Sequence, residues 1–247
     1  MTIKELLDKA IYIQFPYINK EYRDRYRKRK PVKVPKVKDY DPLYSDSVHD
    51  THHYTTKYHR RVVLPLLESL YKFGYNKADF DIVKFVKSDG DYSYMVPKKD
   101  MRFDVYRYDL KQPKMMKDVG YMDLFSPTFK DNVNEHRYWG LYRYPHACSR
   151  IINKSLPKDG RKLFISGDSQ MIPDIPVLAC YFREVWYFDN RTGYKTSQRD
   201  KFGNYTIKWI EEKHLPCMRH YEKKTFTDVL MQTYCADLER YEKWNLV

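Results

Sequence analysis

Lys162-Leu163-Phe164-Ile165-Ser166-Gly167-Asp168-Ser169 reads as a short strand that runs into a tight turn. The apolar run is bounded by charge on one side and by Gly-Asp on the other, as a strand buried on both faces requires. Behind it, Gln170 to Phe182 is apolar and carries Pro173 in its first turn, where proline is tolerated, so it predicts a helix. Glu184-Val185-Trp186-Tyr187-Phe188-Asp189 is the next strand, and Thr227 to Tyr234 is another, followed by a terminal helix to Trp244. Strand, helix and strand with short connections imply a parallel sheet with helices on its faces.

Upstream, Val62, Val63, Leu66, Leu67, Leu70 and Phe73 recur at helical spacing, with Pro65 as a kink or restart and Gly74 as the stop. Asp81 to Lys87, the turn Ser88-Asp89-Gly90-Asp91, Tyr92 to Val96 and Met101 to Val105 predict a small antiparallel meander, around residues 79–110. Thr2 to Ala10 predicts a short helix, broken at Phe15-Pro16-Tyr17. Residues 111–145 read as loop-rich, with a turn at Tyr121 to Phe125.

The net charge is +13 over 247 residues, and Lys20 to Lys38 holds ten Lys/Arg against two acidic residues, so this stretch supplies +8 of it. Pro31 and Pro35 force extended geometry there, and the alternating Val and Lys form an edge strand, an arm or a solvated connector. A net positive charge asks for an anionic partner. Because it is concentrated in one segment, and no helix-turn-helix, zinc-finger or RNP-like motif accompanies it, a nucleic-acid-binding protein ranks last. Aromatics at 17% exclude a disordered chain. No window approaches the roughly 18 apolar residues of a membrane span. Thr2-Ile3-Lys4-Glu5 is a capping box with no apolar region behind it, which is not a secretory signal, so the expected location is cytoplasmic. Cys148, Cys180, Cys217 and Cys235 have no CxxC spacing and are expected to be reduced thiols. The organisation expected is an N-terminal helix and basic extension over 1–45 and an α/β domain over 46–247.

A serine between a buried strand and a helix sits at the C-terminal edge of the sheet, where α/β proteins place their sites. Free N–H groups at the helix start favour an oxyanion there, so Ser169 suits a nucleophile. It suits an N-cap as well. A nucleophilic serine needs a base oriented by a carboxylate. Asp50-Thr51-His52 supplies both, because residues two apart in an extended segment point the same way. His49, Asp50, His52 and His53 alternatively form a metal-like cluster, or histidines capping a helix; no ligand group with metal spacing accompanies them elsewhere, so no metal or cofactor is expected.

The block Ile165-Ser166-Gly167-Asp168-Ser169, with Ile175-Pro176-Val177-Leu178 and Tyr181 to Asp189, resembles the nucleophile block of SGNH-type hydrolases. It is most similar to their alginate-acetylation and Asp-His-His-Trp branch, in which an Asp-x-His motif precedes the serine. Asp50 and His52 precede Ser169 here, and Thr55 follows, with His53 in place of the branch's Trp. Tyr121-Met122-Asp123-Leu124 resembles a further patch between the two motifs, and the likeness spans roughly Ser47 to Glu242. It implies a flavodoxin-like α/β sandwich with a central parallel sheet and a Ser-His-Asp triad: Ser169 the nucleophile, His52 the base, Asp50 the orienter. It implies acyl transfer on a carbohydrate, capsule polysaccharide included, by an O-acetyltransferase or an acetylesterase through an acyl-Ser; the acetyl donor is not implied. Arg191, Trp186 and Asn190, at or near a strand end, are the candidates for holding an anionic glycan, by paired hydrogen bonds, stacking and amide donation. The competing expectation is a non-catalytic protein of the same fold that binds an anionic polymer or partner.

Overall fold

The computed structural model describes residues 3–15, 31–35, 54–87, 90–109, 114–117, 148–167, 170–189 and 224–232. The expected C-terminal helix, the basic run from Lys20 to Lys30 and the turn at Tyr121 to Phe125 lie outside them.

The chain opens with α1 (Ile3–Lys9), β1 (Ile11–Gln14) and a two-residue β2 (Val32–Lys33). A helical rod follows, made of α2 (Thr56–Tyr58), a π segment (His59–Val63) and α3 (Leu64–Tyr71). After a 3-10 turn (Lys77–Asp79) come β3 (Phe80–Lys87), β4 (Gly90–Pro97), β5 (Phe103–Asp109), β6 (Lys114–Lys117) and β7 (Cys148–Asn153). The α/β half is β8 (Lys162–Gly167), a 3-10 turn (Ile172–Asp174), α4 (Ile175–Ala179), β9 (Glu184–Asp189) and β10 (Asp228–Gln232).

Eight strands form one mixed sheet in the order β2-β1-β10-β8-β9-β7-β5-β6, and β3 and β4 form a separate antiparallel pair. β2, β1, β10, β8 and β9 are mutually parallel; β7, β5 and β6 continue the sheet antiparallel. The third run of the expected meander is thus β5, which leaves the hairpin and pairs with β7. Alternation specifies which face a strand buries, not which strand it joins.

Both faces of the parallel half are covered. Leu163 and Ile165 of β8, Val185 and Tyr187 of β9, Leu230 of β10 and Ile13 of β1 face a core shared with the rod and α4. The residues between them, Phe164, Trp186, Val229 and Tyr12, are equally buried on the other face, where Phe226 packs against both Phe164 and Trp186. This explains why β8 and β9 read as unbroken apolar runs.

The rod departs from a plain helix for a reason its sequence contains. Pro65 has no N–H for the Arg61 carbonyl, and its ring crowds that carbonyl. The π segment immediately upstream accommodates this. Its buried residues follow suit: Tyr58 to Val63 and His59 to Leu64 are five apart, and only then does the interval return to three and four at Leu67 and Tyr71. The rod ends in a left-handed Lys72 (φ 52°), two residues before Gly74 (φ 89°), and the Glu68 carboxylate accepts the N–H groups of Phe73, Gly74 and Tyr75. Pro173 and Pro176 likewise cut the helix expected over 170–182 into a 3-10 turn and five α-helical residues. Among the described residues no helix is long and apolar enough to cross a membrane.

Candidate active site

Five parallel strands give the sheet one edge where all their C-termini emerge. Ser169 follows β8 there by two residues, and Asn190 and Arg191 follow β9 directly. Asp50, His52, Ser169, Asn190 and Arg191 themselves lie outside the described residues, as does the cluster His49 to His53. What is described is the frame on either side of them.

The last residue of β8, Gly167, is a glycine because its surroundings admit nothing larger. A Cβ there would lie 2.8 Å from Met171 Cγ and 3.1 Å from both Met171 Cβ and Gln232 Oε1. Gly167 is thus packed directly onto Met171 and onto the end of β10. Tyr187 of β9 donates its hydroxyl proton to the Gly167 carbonyl at 3.1 Å.

The rod runs opposite to the parallel strands. Its C-terminus is at the far edge, where the Tyr71 hydroxyl donates to Val229 O (2.8 Å) and Arg161 donates to the carbonyls of Tyr71 and Lys72 (2.9 and 3.1 Å) while pairing with Asp228. Its N-terminus is therefore returned to the C-terminal edge. Thr55 caps it, in extended conformation, with Oγ1 accepting the Tyr58 N–H (3.1 Å). One residue earlier, the Tyr54 N–H donates to Gln170 Oε1 at 3.3 Å. Tyr54 is two residues after His52, and Gln170 is the residue after Ser169.

Behind this contact lies a pair that the sequence reading missed. His59 Nδ1 and Asp174 Oδ2 share a hydrogen bond of 2.9 Å, and both side chains are 0% exposed. Phe15, Tyr54 and Tyr58 wall the imidazole, with ring centroids 6.1, 6.5 and 6.2 Å away, and the Tyr54 and Tyr58 rings stack at 4.6 Å. Burial pushes the Asp174 carboxyl up from its ordinary range, and His59 pulls it back in part. Burial likewise raises the Tyr58 phenol, with Tyr54 and Asp174 adding to the rise; its hydroxyl donates to Pro35 O (2.7 Å), tying the residues after β2 to the rod. The signal that could have found the pair is Asp174 itself: a carboxylate inside Met171-Ile172-Pro173-Asp174-Ile175-Pro176 must be partnered if that run is buried.

Trp186 is 4% exposed, on the face away from the rod. Its Nε1–H donates to Glu184 Oε2 (2.9 Å), and the Arg150 guanidinium lies 4.8 Å over its ring. Its ring belongs to the packing of that face. Among the described residues no group of three His, Cys, Asp or Glu could hold a metal ion. The described free cysteine, Cys180, is buried, and burial raises its thiol well above the ordinary range.

No family model matches the chain, and no curated protein sequence matches it significantly. Its fold does match solved structures. Bacillus cereus PatB1 with a sulfonyl adduct superposes with a TM-score of 0.55 at 14% identity, over 95% of this chain and 86% of that one. A second structure of PatB1 gives 0.54 at 14% identity, over 96% and 86%. A DHHW family protein from Eubacterium siraeum gives 0.52 at 14% identity, over 93% and 80%. The α/β fold is shared with these proteins.

Proposed function

We propose that the chain is a serine-dependent acyltransferase or esterase acting on a carbohydrate, with Ser169 as nucleophile, His52 as base and Asp50 as orienter. The observation that carries this reading is the Tyr54 N–H···Gln170 hydrogen bond. It joins the chain two residues from the Asp-x-His motif to the chain one residue from the Gly-Asp-Ser motif, 116 residues apart. Each residue spans at most about 3.6 Å, so this bond supports the two motifs meeting at one edge of the sheet. That edge is the one α/β sheets use for ligands. The shared fold with PatB1 and the DHHW family protein supports the same reading.

In this mechanism His52 takes the Ser169 hydroxyl proton as Oγ attacks the acyl carbonyl. Asp50 holds the imidazole and stabilises its protonated form. Backbone N–H groups following β8 stabilise the oxyanion. The donor's leaving oxygen receives the proton from His52, leaving an acyl-Ser. A sugar hydroxyl, or water, then gives its proton to His52 and takes the acyl group, and His52 returns that proton to Ser169 Oγ as the acyl–Oγ bond breaks. Arg191 and Asn190 follow β9 at the same edge and hold the acceptor, and the basic segment from Lys20 to Lys38 draws it in if it is anionic. A cytoplasmic location belongs to this reading, as does membership of the SGNH-like Asp-His-His-Trp branch.

A sulfonyl fluoride or fluorophosphonate probe, followed by peptide mass spectrometry, tests the proposal. Adduct on Ser169, lost in His52→Ala and accompanied by loss of p-nitrophenyl acetate turnover in Ser169→Ala, is the expected result. Full turnover by a folded Ser169→Ala overturns it, and a protein that binds acidic glycan without labelling is the non-catalytic binder.

A further inference from the structure

We propose that the buried His59–Asp174 pair is a positioning device that fixes the helix following Asp50 and His52 against the turn following Ser169. The inference rests on the acyl-transfer reading and adds two residues to it that do not touch substrate.

Stability alone is a poor reason for this pair. Two fully buried ionisable side chains give up their hydration, and apolar residues of similar volume hold such a contact as well or better. His59 Nε2 and Asp174 Oδ1 are also buried without a hydrogen-bond partner among the described residues, which adds to that cost. A hydrogen bond offers what apolar packing does not, namely direction. It sets the rotation and height of one element against the other. The elements concerned are the two that carry the motifs: His59 is seven residues beyond His52 and Asp174 five beyond Ser169. The bond is short, at 2.9 Å, and the ring is walled by Phe15, Tyr54 and Tyr58. With the Tyr54–Gln170 bond at 3.3 Å, it gives two fixed points between the same two segments. Two points determine a register where one would leave a pivot.

Among the described residues the titratable groups around the pair are few. Tyr54 and Tyr58 lie beside His59; Tyr58 and Tyr75 feel the Asp174 charge, and burial raises both their phenols beyond the working range of an esterase assay. Removing the pair should therefore change how often His52 meets Ser169, without moving the pH at which His52 loses its proton.

The experiment compares Asp174→Leu, Asp174→Asn, His59→Asn and Gln170→Ala with wild type, using p-nitrophenyl acetate turnover, the rate of fluorophosphonate labelling at Ser169, and urea denaturation. Asp174→Leu, if folded, should lower kcat by about 10- to 100-fold, the loss a misplacement near 1 Å brings, with KM within about twofold. The labelling rate should fall in parallel. Asp174→Asn, which keeps an acceptor for Nδ1–H, should recover most of the rate, and the midpoint of the kcat/KM pH profile should stay where it is in wild type. A folded Asp174→Leu with wild-type kcat overturns the proposal. So does an inactive His59→Asn accompanied by an active His52→Ala, which would make His59 the base. If Asp174→Leu does not fold, Gln170→Ala and Asp174→Asn decide: Gln170→Ala should lose about three- to tenfold in kcat, and wild-type rates in Gln170→Ala together with a dead, folded Asp174→Asn refute positioning. Failure of the acyl-transfer reading is separate, because wild-type protein would then leave Ser169 unlabelled.

Discussion

Gly167→Ala is the smallest change that reaches the proposed nucleophile. The added methyl lies 2.8 Å from Met171 Cγ, where two carbons are comfortable at about 3.5–4.0 Å, so it is short by roughly 0.7–1.2 Å. Met171 is 0% exposed and cannot swing into solvent, and Gln232 Oε1 blocks the other side at 3.1 Å. Overpacking of this kind costs about 1–3 kcal/mol, and it is relieved by shifting the turn between Gly167 and Met171, which contains Ser169. Urea denaturation should show that loss, and p-nitrophenyl acetate turnover should fall by about 10- to 100-fold. Met171→Ala alone should cost about 2–5 kcal/mol through the cavity it leaves. Because the closest atom is then gone, Gly167→Ala/Met171→Ala should be more stable than the sum of the single losses by about 1 kcal/mol or more. Additivity within about 0.5 kcal/mol would refute the clash as the reason for this glycine.

Arg161→Ala should destabilise by about 2–3 kcal/mol in urea, since Arg161 pairs with Asp228, caps α3 through two carbonyls and lies 4.9 Å over the Phe182 ring. Tyr71→Phe should cost about 1 kcal/mol by the same measurement, for the lost bond to Val229 O. Burial raises the Glu184 carboxyl, but hydrogen bonds from Trp186 and Arg150 outweigh it and bring it below its ordinary 4.5. A depressed carboxyl stabilises fully above 4.5 and ceases to as pH falls through its lower folded value, so Tm curves of wild type and Glu184→Gln should differ above 4.5 and converge below it. Binding of an acidic oligosaccharide should weaken from low to physiological salt, where the Debye length is about 8 Å, and joint neutralisation of Arg27, Lys28, Arg29 and Lys30 should remove most of that dependence.

The parts of the fold that the chain announces are those where local pattern and burial agree. β8 and β9 are apolar on both faces because both faces are covered, so residues 162–167 and 184–189 are strands on inspection. β1 was hidden because only Ala10 separates it from α1, and four residues give no period to read. β7, with Ser149, Arg150 and Asn153 among its six residues, lacks an apolar run; Arg150 finds Glu184 across the strand pair, a compensation that local sequence does not show. At the site, the order of the motifs and the serine after a buried strand were legible. Asp174 was not identified as one half of a pair, because its partner is 115 residues away. Proximity of that kind is created by the reversal of the rod, not by spacing.

The π segment at residues 59–63 sets a rotational phase between the two halves of the rod. An α-helix turns by about 100° per residue and a π segment by less, so five residues here return a side chain to the face that four return it to in an α-helix. Rewinding residues 59–63 as α-helix at unchanged length would rotate residues 54–59 by about 100° while Leu64 to Tyr71 stayed seated, and His59 would leave Asp174 and Tyr54 would leave Gln170 with every side chain at the site still present. Deleting one residue there, for instance the exposed Arg61, would instead let the rod become continuous α-helix with Tyr58 and His59 still on the buried face. The chemistry reads the winding of this segment rather than its length.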